Sequence, residues 1–335
     1  MKKRITSVLM ALALCLTLLP TAALAADGNH TAGDHTGFTK LWMDGNTLKK
    51  GEVEWTTSAI KIWRTDNPVQ AYVLDEGTYY LDDNLDFTGN KNTTTECAIV
   101  ITGNVTLCLN DHSITCTDRQ GVICVYAVDC GSLTLTDCKS DGKIIGGTSA
   151  AVDVRNGKTF NMHGGTITGG SSGVSVDSGC TFNMYGGTIT RNTGSGVYMS
   201  AGKFNMYGGE ITKNNRGVDV GRYQPVFSVS GGAKVTGNGK EDKAENVYLN
   251  GDRTIHVTGA FTGTIGVTAQ TPSAGTSIVT VSDANYIRGT FTSDNGAYGI
   301  SKDSSGNIVL KEHNWNYTQS GAETNTITAN CTECG

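Results

Sequence analysis

Proline is nearly missing from this chain, with only 4 among 335 residues. That excludes a proline-rich extended stalk and leaves few interruptions to any β ladder. Charged residues make up 17% and aromatics 7% of the sequence. With few of the residues that build long helices, an all-helical fold is not expected. The net charge of -5 offers no basic face for phosphates, which argues against a nucleic-acid partner. Past the N-terminus there is no run of roughly 20 apolar residues, so the mature chain is not expected to be membrane-embedded. What is abundant is glycine, at 44 residues. It does not recur at every third place, which excludes collagen, and a hydrophobic content of 38% excludes disorder.

Residues 1–25 read as a secretory signal peptide. Lys2, Lys3 and Arg4 form the basic start, Val8 to Leu19 the apolar run, and Ala23-Leu24-Ala25 the cleavage site. Cleavage before Ala26 leaves 23 Lys and Arg against 31 Asp and Glu. The mature chain is therefore expected to be secreted or displayed at a cell surface, outside the cell, and to prefer neutral, cationic or Ca²⁺-bridged partners. Leu14 before Cys15 is too large for lipoprotein processing. Nine cysteines remain, six of them between Cys97 and Cys138, and an odd number leaves at least one unpaired or intermolecular thiol. Their spacing leaves two readings open: buried packing residues, or one or two disulfides. Cys331 and Cys334 alone show a metal or redox spacing, without a second pair. The histidines at 30, 35, 112, 163, 256 and 313 are scattered, and no metal site is expected.

An internal repeat is the strongest signal. Phe160 to Thr168 reads FNMHGGTIT, Phe182 to Thr190 FNMYGGTIT and Phe204 to Thr212 FNMYGGEIT, a period of 22 residues. Each block leads through a polar, Gly-rich stretch to a V-x-V element such as Val174-Ser175-Val176. Weaker copies extend the array: Leu107 with Ile114, Leu133 with Ile144, and Phe227 with Val235. About six coils are expected between residues 97 and 240.

Each repeat holds three short runs of period-2 alternation joined by glycine corners, and the 3.6-residue helical period is missing. Three strands per turn make a triangular coil that pairs with its copies roughly 4.8 Å above and below. The expected fold is all-β: a right-handed parallel β-helix of about 22-residue coils with N- and C-terminal β caps. A leucine-rich repeat would need an L-x-x-L-x-L pattern and a helical segment in each repeat. Alternation predicts that Phe160, Met162, Ile167, Val174, Val176 and their copies face inward, while Asn161, His163, Thr166 and Thr168 face out. The Gly-Gly pairs at 164–165, 186–187, 208–209 and 231–232 mark one recurring corner.

Residues 26–95 are expected to form a polar leader and N-terminal β cap, 96–240 the repeats, 241–311 the closing coils and C-terminal β cap, and 312–335 a tail. The phrases YVLDEGTYYLDDNL, VTLCLNDHSITC, SLTLTDCKSDGKI and NVYLNGD, with the FNMYGGTIT repeats, resemble secreted right-handed β-helix repeat proteins of Gram-positive anaerobic bacteria. That resemblance spans residues 70–311 and implies a cell-surface protein of unassigned role. The closing HNWNYTQSG is similar to the start of a further module that often follows in that family. The fold also resembles that of pectate lyases and polygalacturonases, a likeness of architecture alone.

Three outward features are candidate sites. His163, Tyr185 and Tyr207, beside Asn161, Asn183 and Asn205, form a strip of rings and amides suited to weak glycan binding. The same residues would equally stack to stabilise the sheet. A lyase or glycosidase would need carboxylates within about 5–9.5 Å, with Ca²⁺ as the only cofactor in view and only for a lyase. Asp153 and Asp219 share a repeat phase but are separated by Ser175 and Tyr198, which puts them roughly 14 Å apart. Arg155, Arg191, Arg216 and Arg222 show no adjacent acid pair in the sequence. The outward threonines resemble ice-binding arrays, but Lys143, Glu210 and Lys234 interrupt their column. The expectation is therefore a monomeric spacer or adhesin that contacts an extracellular glycan or cell-surface partner, with a polysaccharide lyase or glycoside hydrolase as the alternative.

Overall fold

A computed structural model describes residues 34–60, 68–125, 131–241, 243–313, 315–320 and 326–331. The signal-like segment 1–25 lies outside these residues, as do Cys130 and Cys334. The chain forms a right-handed parallel β-helix of about nine turns, with coils averaging about 24 residues. The period of 22 holds where the sequence repeats most plainly, and insertions at the corners lengthen the other coils.

Each central coil contributes three strands. In one coil these are Thr159–Met162, Thr166–Thr168 and Ser172–Val176; in the next they are Thr181–Met184, Thr188–Thr190 and Ser195–Met199. Every strand pairs in parallel with its copies, so Phe160 sits beside Phe182, Ile167 beside Ile189 and Val174 beside Val197. The inward alternation is borne out, since Phe160, Met162, Ile167, Val174 and Val176 are all fully buried. Phe160, Phe182, Phe204 and Phe227 stack face to face with centroids 4.9, 4.7 and 4.9 Å apart. That spacing is the strand separation itself, so identical rings in register fill the narrow core without gaps.

Parallel pairing extends on both sides of 96–240. Val69–Leu74, Gly77–Leu81 and Leu85–Asp86 already pair with the coil that follows, and Thr264–Ala269, Ser277–Val281 and Thr290–Ser293 continue the stack. Antiparallel strands then cover both ends: Thr47–Lys50 folds back on Thr39–Asp44, and Ile308–Glu312 lies antiparallel to Ser277–Val281. Covering the end coils keeps unpaired strand edges away from other chains.

Two details of the repeat differ from expectation. Val105, not Leu107, occupies the Phe160 column, because Leu133 aligns with both Val105 and Phe160 while Leu107 aligns with Leu135. Insertions between the first and second strands hide that register in the sequence. The glycine corner also shifts. In three pairs the second glycine has positive φ, +78° at Gly165, +81° at Gly187 and +80° at Gly209, but in the last it is Gly231, at +57°. This corner holds one more residue than the others, since Phe227 and Val235 are eight positions apart where Phe204 and Ile211 are seven.

Of the two cysteine readings, the structure selects one disulfide among the described residues, Cys97–Cys124, which joins adjacent coils. Gly121 makes room for it, since a Cβ there would lie 2.6 Å from Cys97 Sγ. Cys108, Cys116, Cys138 and Cys180 are not bridged.

Candidate functional site

The first strands of three successive coils bring all six predicted strip residues together. The His163 and Tyr185 rings lie 4.5 Å apart at 13°, and Tyr185 and Tyr207 lie 4.9 Å apart at 13°. Tyr185 is 38% and Tyr207 40% exposed. Because the rings stack along the helix axis, their faces meet one another and mainly their edges meet solvent. The amides are likewise engaged: Asn183 Nδ2 donates to Asn161 Oδ1 and Asn205 Nδ2 to Asn183 Oδ1, both at 2.9 Å. Burial raises the Tyr185 hydroxyl above its usual pKa, and neighbouring Tyr207 adds to the effect. The strip is thus a ladder first, and any ligand would meet ring edges and the remaining amide capacity.

On the third strands, the outward column reads Asp153, Ser175, Tyr198, Asp219 and Tyr248 in successive coils. The two aspartates are three steps apart, as the sequence predicts. The reading of the arginines needs correction. Arg155 lies 2.6 Å from Asp153 and 3.3 Å from Glu96, while Arg216 lies 2.5 Å from Asp219 and 2.8 Å from Glu245. Glu96 and Glu245 come from other coils, at sequence separations that no local pattern exposes.

Arg216 also sits 3.9 Å from the Tyr248 ring centroid and lines an open cleft of about 530 Å³ with Thr193, Ser195, Asn215, Lys243 and Glu245. A smaller hollow of about 190 Å³ includes Tyr198, Asp219, Arg222, Tyr223 and Asn250. Burial alone would raise the Glu245 carboxyl pKa, but hydrogen bonds from Lys243 and Arg216 outweigh it and hold the group below the usual range. At Asp153 the balance reverses, and burial pushes the carboxyl up despite Arg155. A general acid needs a raised pKa, and Glu245 at the cleft does not have one.

A third cluster was invisible to spacing arguments. His35, Cys108 and Cys138 bring their ligand atoms within 4.8 Å of one another, across as many as 103 residues of sequence. Cys108 Sγ is 3.4 Å from Cys138 Sγ, which is 3.7 Å from His35 Nε2 and 3.6 Å from Asn110 Oδ1. The His35 ring stacks on Tyr80 at 4.1 Å and 10°. Tyr80, Cys108 and Thr136 are in register one above the other, and Thr136 follows Leu135, the partner of Met162. This cluster therefore lies on the same column as His163, Tyr185 and Tyr207. Burial pushes the Cys108 thiol up to about 11.

The corner loops at 191–196 and 213–217, which read as plain turns, carry a second amide ladder. Asn192, Asn214 and Asn238, from successive coils, are buried and hydrogen-bonded in turn, and buried Asn246, in the same coil as Asn238, ends the ladder. The 22-residue spacing of Asn192 and Asn214 was the available signal.

Compared with known protein families, with curated proteins and with solved structures, the chain matches none.

Proposed function

We propose that the chain is a rigid spacer or adhesin displayed outside the cell, with weak glycan contact along Asn161, His163, Asn183, Tyr185, Asn205 and Tyr207. One observation carries this reading: over three coils, the outward rings and amides are spent on each other, at 4.5–4.9 Å and 2.9 Å respectively. A surface stitched in this way resists bending and local opening, which suits a load-bearing stack. The half-exposed tyrosine edges leave room for a shallow sugar contact. The signal-like residues 1–25 and the resemblance to secreted β-helix repeat proteins of Gram-positive anaerobes support an extracellular location. The test is a glycan array probed with the wild type and a folded Tyr185→Ala/Tyr207→Ala variant. Weak binding lost in the variant is expected; full binding in the variant would remove the strip from the proposal.

A second reading, a polysaccharide lyase or glycoside hydrolase, draws on the cleft where Arg216 is held against Asp219 and Glu245. An arginine among carboxylates is the kind of group that acts on acidic sugars, with Ca²⁺ as the added cofactor of a lyase. Incubation with pectin, alginate and host glycans, with and without Ca²⁺, distinguishes the two. Unsaturated or shortened products would favour the enzyme, and intact polymers the spacer.

A further inference from the structure

We propose that His35, Cys108 and Cys138 form a zinc-binding site that fastens the N-terminal segment to the flank of the β-helix. The donor set is two sulfurs and one imidazole nitrogen, which is the chemistry of zinc and not of Ca²⁺ or Mg²⁺.

The distances agree with that assignment. Zinc bonds of about 2.3 Å to sulfur and 2.0–2.1 Å to nitrogen, at tetrahedral angles, put two sulfurs about 3.8 Å apart and a sulfur and a nitrogen about 3.6 Å apart. The observed separations are 3.4 Å for Cys108 Sγ to Cys138 Sγ and 3.7 Å for Cys138 Sγ to His35 Nε2. The third pair, Cys108 Sγ and the His35 ring nitrogen, lies within 4.8 Å, so the His35 ring closes toward Cys108 when the metal completes the shell. A fourth position can be taken by water or by Asn110 Oδ1, 3.6 Å from Cys138 Sγ, because the Asn110 amide N–H is already fixed on the Leu81 carbonyl at 2.9 Å.

The site is also held in place. His35 is clamped between Tyr80, stacked at 4.1 Å, and Phe38, edge-on at 5.6 Å, so its ring plane is set before metal arrives. Cys108 is buried at the end of a strand in the parallel stack, and Cys138 lies in the corner loop of the next coil. The imidazole distinguishes this cluster from an ordinary thiol pair. On binding, Zn²⁺ displaces the two thiol protons to buffer, and no oxidant or reductant is required.

The experiment uses the full secreted chain, isolated without reductant or chelator. Metal analysis is combined with Co²⁺ titration of the reduced protein. One metal per chain is expected, with sulfur-to-cobalt charge-transfer absorption in the near ultraviolet. His35→Asn should weaken Zn²⁺ by at least about tenfold, the scale of losing even an outer partner of a metal ligand. Cys138→Ser should remove most of the charge-transfer band, and Cys180→Ser, outside the cluster, should leave it intact. His35 precedes the first strand, so His35→Asn keeps the test valid even if a cysteine variant fails to fold. The proposal is overturned if the reduced protein binds no stoichiometric metal, if His35→Asn retains wild-type affinity, or if mass spectrometry finds Cys108 and Cys138 joined in a disulfide in the protein as isolated.

Discussion

Asn214 Nδ2 donates to Asn238 Oδ1 at 2.9 Å inside the corner of the helix. Asn214 is 1% exposed and also donates to the carbonyls of Ile189 and Thr212 at 3.1 Å while accepting from Asn192. Asn214→Ala would orphan several buried groups at once. At about 1–3 kcal/mol for each unsatisfied group, a loss of about 3 kcal/mol or more is expected. Asn183→Ala, on the outward ladder, should cost about 1 kcal/mol because water can replace its partners. Urea denaturation of both variants checks the contrast, and equal losses would show that the inner ladder carries no special weight.

The shifted glycine corner gives a second prediction. Gly231 has φ +57°, and a Cβ there would run into the Tyr207 carbonyl, whereas a Cβ on Gly232 meets nothing within 4 Å. Gly231→Ala should destabilise by at least about 1–2 kcal/mol from the left-handed backbone alone, and Gly232→Ala should be near neutral. The opposite order in thermal melts would mean that the corner keeps the register of the three earlier pairs.

Much of the architecture was legible because the repeat writes it out. Phe160, Phe182 and Phe204 recur at the strand-to-strand period, so one alignment fixes the core, the faces and the columns. The ring and amide strip was legible for the same reason. What stayed hidden lies off the plain 22-residue period. Glu245 reaches Arg216 from the next coil and His35 meets Cys138 across 103 residues. Arg216 and Glu245 share a phase, two residues before the aligned Val218 and Val247, but an insertion stretches their separation to 29 residues, whereas His35 precedes the repeats and no periodicity points to it. The Val105 register was obscured differently, by insertions that change the offset between first and second strands.

Asp153 provides a pH test. Its side chain is 4% exposed and pairs with Arg155, while its Oδ1 is buried without a hydrogen bond. Burial raises its pKa above the usual 3.8 despite the arginine. A carboxyl that keeps its proton to higher pH when folded contributes stability below the unfolded pKa and loses it as pH rises through the folded value. Asp153→Asn should therefore be at least as stable as wild type at pH 7, with the difference shrinking toward pH 3.5. Arg155 keeps Glu96 and Asp177 nearby, so no bare charge remains. A loss of about 3–5 kcal/mol at pH 7, the cost of breaking a buried pair, would refute this.

Glu245 gives the opposite sign. Lys243 and Arg216 hold its carboxyl below the usual 4.5, so its contribution is present above the unfolded pKa and is lost as pH falls below it. Arg216→Gln removes one of the two cations, and Lys243 remains 2.5 Å from Glu245. The variant should show a shallower loss of stability between pH 5 and pH 3 than wild type, while its stability at pH 7 falls modestly, since Arg216 also packs on the Tyr248 ring. Denaturant midpoints measured across that range decide the point. Parallel curves for the two proteins would mean that Arg216 contributes through packing on Tyr248 and not through its charge on Glu245.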